Sequence, residues 1–145
     1  MQCSITCCKT AYDKALNALS YVSDALRFAM RLWMANIFWK SGMLKISNWD
    51  STINLFTYEH PVPFLPPVIA AISGTFFELT CPILLTLGLA ARLGTLPMLS
   101  MTAVIQFTYL QADEHIYWAF LLGTILCFGP GRASLDYWIK RKFCA

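Results

Sequence analysis

Two long apolar stretches each carry a charged residue near the middle, Arg31 in the first and Glu78 in the second. The second stretch, from Pro66 to Ala90, reads PPVIAAISGTFFELTCPILLTLGLA, and Glu78 is its one charge. Roughly 20 mostly apolar residues cross the hydrocarbon of a bilayer, so the stretch is long enough to span. The first, Tyr21 to Trp39, is as apolar apart from Asp24, Arg27 and Arg31. An ion at the membrane centre costs about 3 kcal/mol on insertion scales, so it turns toward a partner or a wet cavity. The two placements together predict an interhelical Arg31–Glu78 pair.

Composition narrows the class further. Charged residues make up 13 % of the chain and hydrophobic ones 57 %, against about 25 % charged in a soluble domain. The expectation is an all-α integral membrane protein forming one bundle, because the polar length for a separate soluble module is missing. A net charge of +3, mostly terminal, excludes nucleic acid as a partner class and is accounted for by topology signals.

Hydropathy predicts four spans, at Tyr21 to Trp39, Pro66 to Ala90, Leu93 to Tyr109 and Ile116 to Phe128. The N-terminus lacks a basic region followed by an apolar core and a small-residue cleavage site, so the first span is expected to stay in the mature protein. Placing both termini in the cytoplasm puts Lys9, Lys14, Arg92, Arg132, Lys140, Arg141 and Lys142 inside and only Lys40 and Lys45 outside. That asymmetry favours an N-in/C-in four-transmembrane-helix bundle. Aromatic residues fall at its expected interfaces, with Trp39, Trp49, Tyr58, Tyr109, Tyr117 and Trp118 outside and Tyr137 and Trp138 inside. The resulting division is a cytoplasmic or interfacial segment over 1–20, a membrane domain over 21–137 and a basic tail over 138–145. Between spans one and two, Pro61, Pro63, Pro66 and Pro67 predict an extended connector, since proline cannot continue a helix interior and restricts its predecessor.

Each polar constellation has a functional and a structural reading. Arg31 with Glu78 reads as a site in which the arginine holds an oxyanion and the glutamate accepts a proton, or as a buried latch between helices. Asp24, Arg27 and Arg31 share a helical face, with Asp24 and Arg27 expected as a solvated pair. Gln106 in the third span needs a hydrogen-bond partner and either joins helices or binds a ligand. Lys40, Ser41, Lys45, Asp113, Glu114 and His115 form either the mouth of a polar site or a solvated rim with snorkelling lysines. Small residues at Ala70, Ala71, Ser73 and Gly74, and at Gly88 and Ala91, mark close helix approach. Pro82 should bend the second span and release the Glu78 carbonyl from its amide donor.

No metal site is expected, because the pairs Glu59-His60 and Glu114-His115 lack metal-ligand spacing. The cysteines contain no Cys-x-x-Cys motif; Cys3, Cys7 and Cys8 read as free or acylated, and Cys81 with Cys127 as apolar fillers or a thiol pair. No haem-attachment, flavin or nicotinamide motif is visible, so no covalently bound cofactor is expected.

The ordered string of Phe38-Trp39-Lys40-Ser41-Gly42-Met43-Leu44-Lys45, Glu59-His60-Pro61-Val62-Pro63, Glu78-Leu79 with Pro82, and Leu87-Gly88-Leu89-Ala90-Ala91-Arg92 resembles the DoxX family of small four-helix membrane proteins. Gly129-Pro130-Gly131 and Ser134-Leu135-Asp136 extend the likeness, which covers Arg31 to Asp136. The resemblance implies a multi-pass protein of the bacterial inner membrane, linked to quinone or thiol redox chemistry. A quinone, a redox partner subunit, a homo-oligomer partner and the lipid bilayer are the associations it implies. In that setting Arg31 and Glu78 would be catalytic, with Gln106, His115, Lys45 and Trp39 binding the guest. Gly42, Pro82, Arg92, Gly129, Pro130, Gly131 and Asp136 would be structural. The competing class is a non-enzymatic membrane scaffold or assembly factor in which the Arg31–Glu78 pair only holds helices together; a small transporter would need a continuous polar path from Lys45 to Arg92.

Overall fold

The computed structural model describes residues 2–59, 62, 65–108 and 112–143, with side chains omitted for 2–8 and 11. The expectations for His60, Pro61, Pro63, Tyr109 and the Cys3, Cys7 and Cys8 side chains lie outside the described residues. Among the described residues the chain is all-α: α1 (Gln2–Ser47), α2 (Trp49–Asn54) continuing into a π-helical turn (Leu55–Glu59), α3 (Pro67–Leu87), α4 (Ala91–Thr108), α5 (Asp113–Phe128) and α6 (Leu135–Phe143). Among the described residues α3 alone is long and apolar enough, by length and composition, to cross a membrane. The centre of the bundle is a cluster of Met34, Ala35, Phe38, Cys81, Leu85, Ala91, Met98, Leu122 and Ile125.

The first helix does not stop at Trp39. It continues for two more turns to Ser47, because Ser41 and Lys45, four residues apart, share a face turned into the bundle, while Trp39, Met43, Leu44 and Ile46 occupy its exposed side. The polar residues that read as a boundary are interior residues of the same helix. Residues 2–20 are likewise part of α1 rather than a separate helix.

This extension shifts the register of α1 against α3. The helices run antiparallel, with Gly42 against Glu78 and Leu79 at one end and Arg31 against Gly88 at the other. A Cβ on Gly42 would lie 2.9 Å from the Leu79 side chain, so glycine is what lets the two backbones approach there. Ten residues separate the two levels, about 15 Å at 1.5 Å per residue. The expected Arg31–Glu78 pair is therefore not formed.

The Pro66 to Pro67 junction is as expected, with Pro66 extended (φ −58°, ψ 140°) and Pro67 opening α3. The helical segment before it was not anticipated. Asn48 caps α2 by accepting from the Ser51 amide at 3.3 Å, and the Thr52 hydroxyl donates to the Lys45 carbonyl at 2.9 Å, folding α2 back on α1.

At the Arg31 end, α3 stops at Gly88 (φ 67°), and the Leu89 amide reaches back to the Leu84 carbonyl at 3.0 Å, a left-handed cap that suits glycine. The Asp136 carboxylate then accepts from the amides of Ala90 (2.8 Å) and Ala91 (3.1 Å), satisfying two donors at the start of α4 from a residue 46 and 45 positions away. Asp136→Ala should cost about 2 kcal/mol, the upper end for a lost cap. Thermal unfolding of the purified variant in detergent measures it, and an unchanged midpoint would show the cap to be idle.

Candidate functional site

Glu78 and Lys45 form the central ion pair. Glu78 lies on the inward face of α3 with its side chain 3 % exposed, and Lys45 comes down from the last turn of α1, 17 % exposed. The Lys45 ammonium bonds directly to Glu78 Oε1. Ser41 Oγ also donates to Oε1 at 3.3 Å and accepts from Lys45 at 3.4 Å. The partner of Glu78 is thus Lys45, a residue that fitted a solvated rim, and not Arg31.

Two features keep the pair from being saturated. Glu78 Oε2 is buried and has no hydrogen-bond partner. The ammonium has three donors and bonds two protein groups, Glu78 and Ser41, with the Phe56 ring centroid 5.8 Å away. Buried polar atoms are nearly always bonded, so an orphaned carboxylate oxygen calls for a partner.

Cavities lie on both sides of the pair. One of about 250 Å³ has apolar walls from Phe56, Leu65, Phe77, Met101 and Val104, with Lys45 and Glu78 at its polar end. The other, about 440 Å³, runs beneath α2 past Ser41, Asn48 and Thr52 to the same two charges. The amphipathic spacing of Thr52, Ile53 and Phe56 was the available signal for this roof, in the segment between spans one and two where only the proline-rich connector was expected.

The other expected site residues are not gathered here. Gln106 Oε1 accepts from the Ala112 amide at 3.3 Å and sits 3.1 Å from His115 Nδ1, so Gln106 joins α4 to the start of α5. Both side a separate cavity of about 580 Å³. Trp39 lines a groove between α1 and α3 that also contains Pro82 and Asn36. Pro82 itself is buried inside α3, four residues after Glu78.

Arg31 is fully buried at the opposite level. Its Nη2 donates to the Ala133 carbonyl at 2.6 Å, its guanidinium lies 5.3 Å from the Phe28 ring centroid, and Asp136 is its charged neighbour. Arg31 thereby clamps α1 to the loop before α6. Asp24 and Arg27 pair at 2.9 Å as expected, and Asp24 also engages Arg132. Arg92 packs on Gly129 and donates to the Cys127 carbonyl at 3.4 Å. Gly129 and Gly131 both have positive φ in the loop between α5 and α6. Cys81 and Cys127 are free, so the thiol pair is not formed. Among the described residues no three His, Cys, Asp or Glu side chains gather in a group that would hold a metal.

A helical bundle with apolar residues over its outside and an ion pair between its helices belongs, as a class, to the small membrane proteins. A family model described as DoxX matches residues 26–111, more than half of the chain, and the chain belongs to the DoxX family. The match takes in Lys45, Glu78 and Arg31 and ends before Gly129-Pro130-Gly131 and Asp136. No curated protein and no solved structure matches the chain.

Proposed function

We propose that the chain is the membrane subunit of a quinone-linked redox system, and that it binds the polar head of a lipophilic quinone between Lys45 and Glu78. The observation that carries this reading is the unpartnered Glu78 Oε2 at the end of an apolar chamber. A quinone pairs a ring bearing carbonyl oxygens with an apolar body, and the chamber pairs a cation and a carboxylate with apolar walls. Lys45 would donate to a ring carbonyl, and Glu78 would deliver a proton as the quinone takes up electrons or receive one as the quinol loses them. The electrons are assigned to a partner subunit.

This reading includes the four-span bundle in the bacterial inner membrane with both termini cytoplasmic. What supports it is the distribution of exposed apolar side chains: Ile69, Ile72 and Phe76 on α3, Leu93, Leu96 and Phe107 on α4, and Tyr117, Phe120 and Phe128 on α5. A water-facing surface does not carry so continuous an apolar coat. At 18 and 16 residues, α4 and α5 reach about 27 Å and 24 Å, close to the hydrocarbon thickness.

Binding of a short-tailed ubiquinone analogue to the purified protein tests the site. Glu78→Gln should weaken binding at least about tenfold, roughly 1.4 kcal/mol. Val104→Phe, which fills the chamber without touching a charge, should block it as well. If both variants fold and bind the analogue as the parent does, the chamber is not the site. Quinone-linked electron flow unchanged by Glu78→Gln would leave the scaffold class in its place.

A further inference from the structure

The end of the bundle opposite Lys45 contains a further cavity, about 620 Å³, that the quinone reading does not use. Four cations line it, Arg27, Arg92, Arg132 and Lys140, against two carboxylates, Asp24 and Asp136. Both carboxylates are already engaged. Asp24 holds Arg27 at 2.9 Å and Arg132 at 3.4 Å, and Asp136 is bound to the Ala90 and Ala91 amides. Arg92 and Lys140 have no carboxylate partner among the described residues, and among these the Arg92 guanidinium has one hydrogen bond, the long contact to the Cys127 carbonyl. A cavity with uncompensated positive charge and immobilised carboxylates is built for an anion.

The same cavity has an apolar rim. Leu93 and Phe128 line it and are 68 % and 71 % exposed on the outside of the bundle. Beside it, α6 presents Leu135, Trp138, Ile139 and Phe143 as an exposed stripe at helical spacing, followed through its last turn by Lys140, Arg141 and Lys142. A short helix of this pattern lies in the boundary between headgroups and acyl chains. A free phosphate would use the arginines and leave the rim without a function; a phospholipid uses both.

We infer that this cavity holds the phosphate of one anionic phospholipid, with Arg92 and Lys140 as its cationic ligands and Leu93 and Phe128 against its acyl chains. The inference rests on the bundle standing in a bilayer with this end at a headgroup layer, and it is independent of the quinone site. Bound there, the lipid bridges α4, the loop before α6 and α6 itself, adding to the contacts these elements make through Asp136, Ser134 and Arg92.

Native mass spectrometry of the full chain in detergent, titrated with phosphatidylglycerol, phosphatidylcholine of matched chains, and glycerol phosphate, tests the proposal. One phosphatidylglycerol should be retained, with phosphatidylcholine and glycerol phosphate each bound at least about tenfold more weakly. Lys140→Gln should weaken retention about fivefold, the effect of one cation near an anionic surface, and Arg92→Gln/Lys140→Gln about 25-fold if the two add. Lys142→Gln, a basic residue of the same helix that does not line the cavity, should leave retention unchanged. Equal retention of both lipids overturns the proposal, as does equal weakening by Lys142→Gln, which would mean diffuse attraction. Glycerol phosphate bound as tightly as the lipid overturns it too, by removing the acyl contribution. Circular dichroism verifies folding, and if Arg92→Gln fails to fold, Lys140→Gln alone decides. Carbonate extraction of native membranes is scored separately: release of the protein would count against the membrane placement itself.

Discussion

Lys45→Met should destabilise the protein by about 3–5 kcal/mol, the range for removing one partner of a buried ion pair. The carboxylate of Glu78 is 3 % exposed and its Oε1 takes bonds from Lys45 and Ser41. Without the ammonium it keeps one hydroxyl donor and an orphaned second oxygen. The surroundings are apolar on the side of Phe77, Met101 and Val104, which offer the carboxylate no replacement donor. A loss of that size is a large part of a total of about 5–15 kcal/mol. The double variant Lys45→Met/Glu78→Gln should recover most of it, because the uncompensated charge is then gone. Unfolding of the parent, the two single variants and the double variant in detergent gives the coupling energy directly. Additive losses would mean that the two groups are solvated independently.

The second large effect belongs to Gly88→Val. Gly88 has φ 67°, a left-handed conformation that costs a β-branched residue about 1–3 kcal/mol. A side chain there would also run into the Arg31 guanidinium, the Ser134 Cβ at 2.5 Å and the Ser134 Cα at 2.9 Å. The arginine cannot retreat freely, since it is fully buried and bonded to the Ala133 carbonyl. Strain, the clash and loss of the clamp act together, so the expected outcome is failure to accumulate as folded protein. Gly123→Ala is the comparison: nothing lies within 4 Å of a Cβ added there, and removing a helical glycine should stabilise by about 0.5–1 kcal/mol. Size-exclusion profiles and melting temperatures of the two variants separate them, and a monodisperse, parent-like Gly88→Val would refute the clamp.

Hydropathy and the ordered motifs located the four long helices to within a few residues at most ends, because long apolar segments bounded by prolines and glycines leave little choice. The exception was α1, which runs from Gln2 to Ser47 and so passes both expected ends, Tyr21 and Trp39. Lys40, Ser41 and Lys45 look like a water boundary in a linear reading, but Ser41 and Lys45 lie one turn apart on the face that meets Glu78. That error displaced Arg31 to a false mid-depth and paired it with the wrong carboxylate. That Glu78 is buried was legible from its isolation in an apolar run; that its partner is Lys45 depended on the α1 to α3 register, fixed by close approach at Gly42. Gln106 with His115 is a contact between the end of α4 and the start of α5, nine residues apart, and it holds both away from the chamber. The roof formed by α2 was hidden by the prolines that follow it.

The unbroken run of α1 has a mechanical consequence. Its 46 residues make a rod of roughly 70 Å, with Lys45 near one tip and Asp24, Arg27 and Arg31 farther down the same shaft. Both charged levels, the one that meets Glu78 and the one that meets Gly88 and Ala133, are therefore carried on a single backbone-bonded element, and a break in α1 between them would uncouple their spacing.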